Sequence, residues 1–171
     1  APRRSRFRRR MPHLSADTGR DPRDLLEVLA MSGLDFMRGI LEGRISAAPI
    51  AGLMGYRLDS VEEGRVTFRA TPDFKVCNPT GTVHGGWYGT LLDSAMACAV
   101  MTLVPKGYFY TTLEYKVNIT RPVPLGTEIV AEGRIQHAGR STGVANGEIR
   151  GTGDGRLFAT GSTTCIIMKP R

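Results

Sequence analysis

The sequence has few cysteines, and their spacing does not pair them. Its 171 residues include three, Cys77, Cys98 and Cys165, with no CxxC motif of the kind that zinc sites use. So few thiols, so widely spread, argue against a disulfide framework and indicate a reducing compartment, so we expect a cytoplasmic protein. For Cys77 we favour a small packed side chain over a nucleophile activated by His84.

The sequence also lacks an apolar run long enough to span a membrane. Its most apolar stretch, residues 86–104, carries Asp93 in its middle, whereas a span needs about 18 or more uninterrupted apolar residues. We therefore expect a soluble chain with no membrane partner. Its 171 residues suit one domain with one core.

Negative charge is absent from the first ten residues, which hold six arginines. The rest of the chain sets 17 Lys and Arg against 16 Asp and Glu, about +1, so nearly all of the formal charge of +7 belongs to this segment. We predict that residues 1–20 form a disordered basic tail without the apolar stretch of a secretory signal. We favour an artefact that precedes a true start at Met11, and expect no nucleic-acid partner; a nucleic-acid-binding arm and a transit peptide remain alternatives.

Hydrophobic periodicity divides the first two thirds of the chain into elements. Apolar residues at helical spacing in residues 21–46 predict a cover helix, or two, broken by Gly33. Alternation on both sides of a Glu-Glu-Gly turn at residues 62–64 predicts a β-hairpin, and a loop follows at residues 71–83. Residues 86–104, apolar nearly all round, predict a helix buried on every side.

The remaining third alternates with a period of two and predicts four strands, at residues 109–120, 127–136, 141–150 and 157–168. Two strands, one long helix and four strands indicate an α+β hotdog fold, in which an antiparallel sheet wraps the buried helix. The hotdog domain would occupy residues 47–171, after the cover-helix region at residues 21–46. One sheet of this size leaves edges and a broad apolar face open, so we expect a homo-oligomer.

The segment that joins the loop to the long helix carries the most specific motif. It reads NPTGTVHGG from Asn78 to Gly86 and then TLLDSAM from Thr90 to Met96, with Asp93 nine residues after His84. This pattern resembles the signature of PaaI-like thioesterases in the 4-hydroxybenzoyl-CoA thioesterase superfamily. The resemblance extends from about Ile50 to Met168 and includes Thr112-Leu113-Glu114, Arg121-Pro122 and Gly139-Arg140-Ser141-Thr142.

The predicted helix contains one carboxylate, Asp93. Burial raises a carboxyl pKa and makes an unpaired ion costly, so this position calls for a partner or for chemistry. The resemblance implies that Asp93 is the general base or the nucleophile, with a structural residue at a subunit contact as the alternative. Gly85 and Gly86 begin the helix, where free N–H groups and the positive end of the dipole can face a carbonyl. The resemblance implies that the Gly85 N–H polarises the thioester carbonyl and that Gly86 contacts the substrate; the alternative is a sharp turn.

The other candidate residues rest mainly on the resemblance. It implies that His84 orients the loop or polarises the carbonyl, and that the Asn78 amide holds the attacking water or the thioester. The alternatives are a structural histidine and ordinary turn chemistry. It also implies that Thr112 brings a hydroxyl to the water. Plain strand alternation instead puts Thr111 on the apolar face, unless a bulge intervenes.

The late turn at Arg140, Ser141 and Thr142 resembles a segment that meets the nucleotide or pantetheine arm of coenzyme A, where Arg suits phosphate. A solvated turn is the alternative. The acyl group itself is only hinted at, by apolar and aromatic side chains that suit an apolar or aryl chain: Trp87, Tyr88, Phe74 and Met54.

Together these expectations describe an enzyme that hydrolyses acyl-CoA to free acid and coenzyme A. Active sites would be shared in a dimer, with residues 84–86 of one protomer facing Asp93 of the other, and dimers would pair into a tetramer. We expect no metal and no tightly held cofactor, since coenzyme A enters with the substrate. The alternatives are a non-catalytic acyl-CoA-binding sensor or regulator and, ranked last, a hydratase or dehydratase on the same fold.

Overall fold

The computed structural model describes residues 25–170, apart from the side chains of Leu25 and Glu27. The predicted basic tail and the first residues of the cover-helix region lie outside the described residues. In chain order the elements are α1 (Leu25–Leu29), α2 (Gly33–Leu41), α3 (Pro49–Met54), β1 (Tyr56–Glu62), β2 (Arg65–Ala70), a 3₁₀ turn (Phe74–Val76), α4 (Gly85–Met101), β3 (Phe109–Ile119), β4 (Ile129–Ala138), β5 (Thr142–Gly151) and β6 (Leu157–Met168).

The six strands form one antiparallel sheet in the order β1-β2-β4-β5-β6-β3. The long helix α4 packs on one face of it, mainly over β3, β4 and β5. This is the hotdog fold that the sequence predicted. Although β3 follows α4 directly in the chain, it lies at the far edge beside β6, so its other edge has no strand partner within residues 25–170.

The predicted strands and the long helix are all present, with ends shifted by a few residues. The sequence missed α3, which is only six residues long and therefore too short to show helical periodicity. Its signals are local ones: Pro49 stands in the first turn, and Gly55 ends the helix in the left-handed conformation, with φ 73°.

The predicted cover helix is two short helices, since Ser32 begins a new one by accepting a hydrogen bond from the Asp35 N–H at 3.2 Å. The next residue, Gly33, touches the end of α4. Its N–H donates to the Val104 carbonyl at 2.9 Å, and a Cβ there would come within 1.8 Å of the Met101 carbonyl oxygen. The predicted break at Gly33 is therefore wrong by a few residues: the helices part at residues 30–32, and Gly33 is the first residue of α2, where it packs closely against α4.

A row of three glycines lets α4 rest directly on the sheet. Gly133, Gly147 and Gly161 are register partners on β4, β5 and β6. A Cβ on Gly133 would lie 2.1 Å from the Ala95 carbonyl oxygen, and one on Gly147 would lie 2.7 Å from the Met96 Cγ. We refer to these three residues as the glycine row.

The prediction that α4 is buried on every side is only partly right. Most of its side chains are buried, but Thr90, Asp93, Ser94 and Cys98 are half-buried and form a stripe along one side. None of the helices within residues 25–170 is long and apolar enough to cross a membrane.

Replacing Gly133 with Ala should test how closely α4 approaches the sheet. We expect the free energy of unfolding to fall by about 3 kcal/mol or more, because the new methyl group would meet helix backbone that cannot move aside. Urea denaturation would measure the change. Gly153→Ala is the matched control, since nothing lies within 4 Å of its added Cβ, and it should change stability by less than about 0.5 kcal/mol. Equal stability of the two variants would contradict the close approach.

Candidate active site

Asp93 lies on the half-buried stripe of α4 and holds one hydrogen bond from a neighbouring strand. The Thr112 Oγ1 donates to its Oδ1 at 2.9 Å. No Lys, Arg or His of the described chain forms an ion pair with it. Burial raises the pKa of Asp93, and the Thr112 hydrogen bond offsets part of that rise. This leaves a carboxyl group with a raised affinity for protons and a free Oδ2.

A β-bulge in β3 aims Thr112 at Asp93. Thr112 pairs with Cys165 and Glu114 pairs with Thr164, so Leu113 is an extra residue without a partner. Plain alternation, which favoured Thr111, is wrong here because the bulge reverses the parity of the strand. Thr111 pairs with Ile166 on the opposite face of the sheet and is exposed.

The cysteines do not supply a nucleophile at this position. Cys98 and Cys165 lie near Asp93, and burial raises the pKa of the Cys98 thiol to about 12 and that of Cys165 above its usual value. Cys77 directs its thiol at the carbonyl of Asp73, 3.7 Å away in its own loop. Its proposed base, His84, is engaged elsewhere through Nδ1. A Cys77–His84 pair therefore gains no support from the structure.

The backbone N–H groups of Gly85 and Gly86, at the start of α4, differ in their hydrogen bonding. His84 is the N-cap, and its ring Nδ1 accepts a hydrogen bond from the Gly86 N–H at 2.9 Å. Because Nδ1 is an acceptor, the neutral ring carries its proton on Nε2. Within residues 25–170 the Gly85 N–H has no hydrogen-bond acceptor. Of the two glycine N–H groups, only that of Gly85 is free to face a ligand.

The side-chain amide of Asn78 forms hydrogen bonds mainly within its own loop. Its Oδ1 accepts from the Thr80 N–H at 3.0 Å and from the Thr80 hydroxyl at 2.5 Å, while its Nδ2 donates to the Thr82 Oγ1 at 2.8 Å. One N–H of the amide remains for another partner. In this single chain Asn78 shapes the loop that leads to His84, and this geometry alone does not bring it to Asp93.

The free edge of β3 runs antiparallel to the first half of α4 and contacts it at every fourth helix residue. A Cβ built on Gly85 would touch the Ile119 Cδ1 at 3.6 Å, and one on Gly89 would meet the Tyr115 ring at 3.3 Å. The Thr112–Asp93 hydrogen bond completes the series. We call these contacts the three rungs. The first and last are eight helix residues apart, which is about 12 Å along the axis.

Two arginines lie beyond the outer rungs. Arg121 lines an open cleft of about 380 Å³ with Ile119, Thr82 and Val83, beside the start of α4. Arg140 lies in the tight β4–β5 turn, which the Gly139 N–H closes on the Thr142 carbonyl at 2.7 Å. Its guanidinium, like that of Arg121, is exposed and forms no ion pair with any described residue.

The turn belongs to the Asp93 end of the site. Gly143, the second residue of β5, stands in one row of the sheet with Cys165 and Thr112. Ser141 accepts a backbone hydrogen bond from Ile167 on the neighbouring strand. Arg140, Ser141 and Thr142, which the resemblance assigned to the coenzyme A arm, thus lie at the Asp93 end of the sheet, and their role in binding stays a prediction. Sequence analysis assigned no role to Arg121.

Two side chains suggested for an acyl pocket are core residues. Trp87 is 2% exposed and donates its indole N–H to the Met54 carbonyl, and Tyr88 is 1% exposed with its hydroxyl bonded to the Val123 N–H. Phe74, in contrast, is 78% exposed on the 3₁₀ turn. No group of three or more His, Cys, Asp or Glu side chains in residues 25–170 is placed to hold a metal ion.

Known proteins with similar sequences and structures share one theme. Residues 80–158 match the family model described as the thioesterase superfamily. Mouse acyl-coenzyme A thioesterase 13 is 28% identical over 115 residues, which is 62% of this chain and 81% of the relative. A phenylacetic acid degradation-related protein from Ralstonia eutropha superimposes with a TM-score of 0.69 at 27% identity, over 77% of this chain and 98% of that one. A hypothetical thioesterase from Streptococcus pneumoniae, solved with coenzyme A, gives a TM-score of 0.61 at 25% identity, over 68% and 88%.

Thr112→Val should raise the pKa of Asp93 further. The hydroxyl stabilises the ionised carboxylate, so its loss leaves burial unopposed and favours the protonated form. An NMR titration of the Asp93 carboxyl carbon would follow this shift. Thr111→Val is the control, because that side chain lies on the opposite face. Finding no shift in Thr112→Val, or the same shift in both variants, would contradict the described geometry.

Proposed function

Because this chain belongs to the thioesterase superfamily, as its motif predicted, we propose that it hydrolyses acyl-CoA to the free acid and coenzyme A. Thioester hydrolysis is the shared property of the family. The choice of acyl-CoA is supported by the name of the mouse relative and by the coenzyme A held in the Streptococcus pneumoniae structure. The observation that carries the proposal is the half-buried Asp93–Thr112 pair on a helix whose first N–H group is free.

Asp93 supplies the chemistry that activates the attack. As a general base, its carboxylate takes a proton from water while the water oxygen bonds to the thioester carbon. As a nucleophile, it attacks that carbon itself, and water then hydrolyses the resulting anhydride. In both routes the C–S bond breaks and the sulfur of coenzyme A leaves and is protonated. Both routes need the ionised carboxylate, which Thr112 stabilises.

The Gly85 N–H stabilises the oxygen that becomes negative during the attack. It stands in the first turn of α4, where the positive end of the helix dipole adds to its effect. His84 holds the neighbouring Gly86 N–H and so fixes the turn in which Gly85 is presented. We assign His84 and Asn78 to positioning this loop, with the His84 Nε2–H free to donate to the substrate.

One chain does not place these groups around one carbonyl, since Gly85 and Asp93 are about 12 Å apart along the helix. A second copy with its α4 antiparallel to the first would bring Gly85 of one protomer to Asp93 of the other, twice over. The free edge of β3 supports such a dimer, because it exposes apolar side chains along an unpaired strand: Leu113, Tyr115 and Ile119. We propose a dimer with two shared sites, and tetramers built from it.

Coenzyme A brings phosphates that need cationic partners. Arg121 lies beside Gly85, and Arg140 lies beyond the Asp93 end of the site, each free of ion pairs within residues 25–170. In the shared site, both would come to the same outer side. We propose that they hold the nucleotide end, and that Gly86, Ser141 and Thr142 contact the pantetheine arm. No metal or bound cofactor takes part in this scheme.

The proposal is tested by the release of free thiol from a panel of aryl, short, medium and long acyl-CoAs. We expect the wild type to hydrolyse part of the panel, and Asp93→Asn to lower kcat by about 10²- to 10⁴-fold because it cannot accept the proton. Asp154→Asn, on an exposed turn, is the control. Tight binding of acyl-CoA without hydrolysis by the wild type would instead establish the sensor function, and full activity of Asp93→Asn would remove Asp93 from the site.

Gly85→Pro tests the N–H donor without removing the helix. Proline is well tolerated at the first helical position, and His84 before it already has φ −66° and ψ 138°, which suit a residue preceding proline. We expect kcat to fall by about 10²- to 10³-fold with the fold retained. Gly85→Ala keeps the N–H and adds a Cβ at an ordinary 3.6 Å from Ile119, so it serves as the control.

Mixing the Gly85→Pro and Asp93→Asn proteins, with subunit exchange, tests whether sites are shared. A heterodimer would regain one intact site, made from Gly85 of one protomer and Asp93 of the other. Random pairing of equal amounts should therefore restore about a quarter of the wild-type activity. If light scattering and labelled subunits show that exchange is complete and no activity returns, the shared site is wrong.

A further inference from the structure

Tyr115 occupies the middle rung between β3 and α4. Its ring lies over Gly89, where an added Cβ would be 3.3 Å from both Cε2 and Oη. In a regular strand Tyr115 and Thr112 would point to opposite faces, and the bulge between them puts both on the helix side. The side chain is 47% exposed, and its hydroxyl has no hydrogen-bond partner among residues 25–170. A half-exposed aromatic ring on a glycine is thus placed midway between Gly85 and Asp93.

Two-fold symmetry gives this middle rung a special position, provided that the shared site of the proposed function is correct. If Gly85 of one protomer faces Asp93 of its partner, the residue halfway between them faces its own copy. That residue is Gly89. Both copies of Tyr115 therefore stand at the symmetry axis, and each lies about 6 Å along the helix from a thioester carbonyl.

The charges around the site decide which end of the substrate points toward the axis. Between Gly85 and Asp93, α4 carries no charged side chain. The two unpaired arginines, Arg121 and Arg140, lie beyond the outer rungs, away from Tyr115. The anionic nucleotide would therefore extend outward to the arginines, and the acyl group would extend inward along the uncharged segment.

We propose that Tyr115 is a specificity-determining residue that closes the inner end of the acyl groove. Its ring limits the groove to about 6 Å from the carbonyl, which suits a single aromatic ring or a short acyl chain. Gly89 lets the ring come this close to the helix, since a Cβ there would push the Tyr115 side chain outward by a few tenths of an ångström. Longer chains would meet the two tyrosine rings at the axis.

The test compares kcat/KM for benzoyl-, butanoyl-, hexanoyl- and dodecanoyl-CoA. We expect the wild type to favour the first three. Tyr115→Ala should raise the ratio of dodecanoyl-CoA to butanoyl-CoA by about tenfold or more, because it opens the space at the axis. Tyr115→Phe should keep the wild-type preference, since the ring and not the hydroxyl sets the limit. Lys116→Ala is the matched control, because Lys116 is the next residue of β3, is exposed, and by strand alternation points to the opposite face of the sheet.

Tyr115→Leu and Tyr115→Trp guard against a variant that folds or assembles poorly. With the dimer verified by light scattering, the smaller side chain should move the preference toward longer chains and the larger one toward shorter chains. An unchanged chain-length profile in these variants, or a wild type that prefers dodecanoyl-CoA, would overturn the proposal for Tyr115 while hydrolysis by Asp93 still stands. Absence of any Asp93-dependent hydrolysis would instead overturn the proposed function.

Discussion

The backbone of α4 lies directly on the sheet because three neighbouring strands each place a glycine beneath it. A side chain at Gly133 would meet the backbone of α4 and lift the helix, whereas one at Gly147 or Gly161 would displace the Met96 side chain. Ala95, the residue that lies over Gly133, is two residues after Asp93. The distance between α4 and the sheet therefore sets the position of the Asp93 carboxylate above the sheet. The hydrogen bond to Thr112, at 2.9 Å, depends on this seating. So does the burial that raises the pKa of Asp93.

The HGG segment illustrates how three adjacent residues share one turn. His84 uses its ring to occupy the Gly86 N–H, and its carbonyl receives the N–H of Trp87. The donor left over is Gly85, at the end of the helix that favours negative charge. Asp93 is an acceptor of protons without a cationic partner in the described chain. A hydrogen-bond donor, the Gly85 N–H, and a proton acceptor, the Asp93 carboxylate, thus lie on one helix. They are too far apart to act on the same carbonyl within one chain.

Most of the fold could be predicted from the sequence because its elements are long and show clear hydrophobic periodicity. A period of two and one apolar stretch predicted six strands and α4, and the motif directed attention to Asp93 and Gly85 as candidate site residues. Short or local features escaped it. Six residues of α3 are too few for a period, and the glycine row becomes visible only when strand register brings distant residues together. The split between the Gly85 and Gly86 N–H groups depends on a ring orientation that no sequence pattern encodes.

Thr112 lies between the features that the sequence predicts and those that only the structure reveals. Alternation alone pointed to Thr111, and the family resemblance pointed to Thr112; one unpaired residue, Leu113, explains why Thr112 is the one that faces Asp93. A bulge interrupts the regular hydrogen-bond ladder of the strand, and the local sequence does not show where it will occur. Features that re-aim a side chain at a site are therefore the ones that simple periodicity predicts worst.

The same bulge also affects how the open edge of β3 behaves in a crowded solution. A long, regular, apolar edge is a template on which foreign strands can grow, with aggregation as the result. Leu113 kinks and twists the edge of β3, so a straight strand loses hydrogen bonds at that point. In the proposed dimer, a second β3 running antiparallel would bring the same irregularity in a symmetric place. One inserted residue that aims a hydroxyl at Asp93 thereby also protects the chain against promiscuous strand addition.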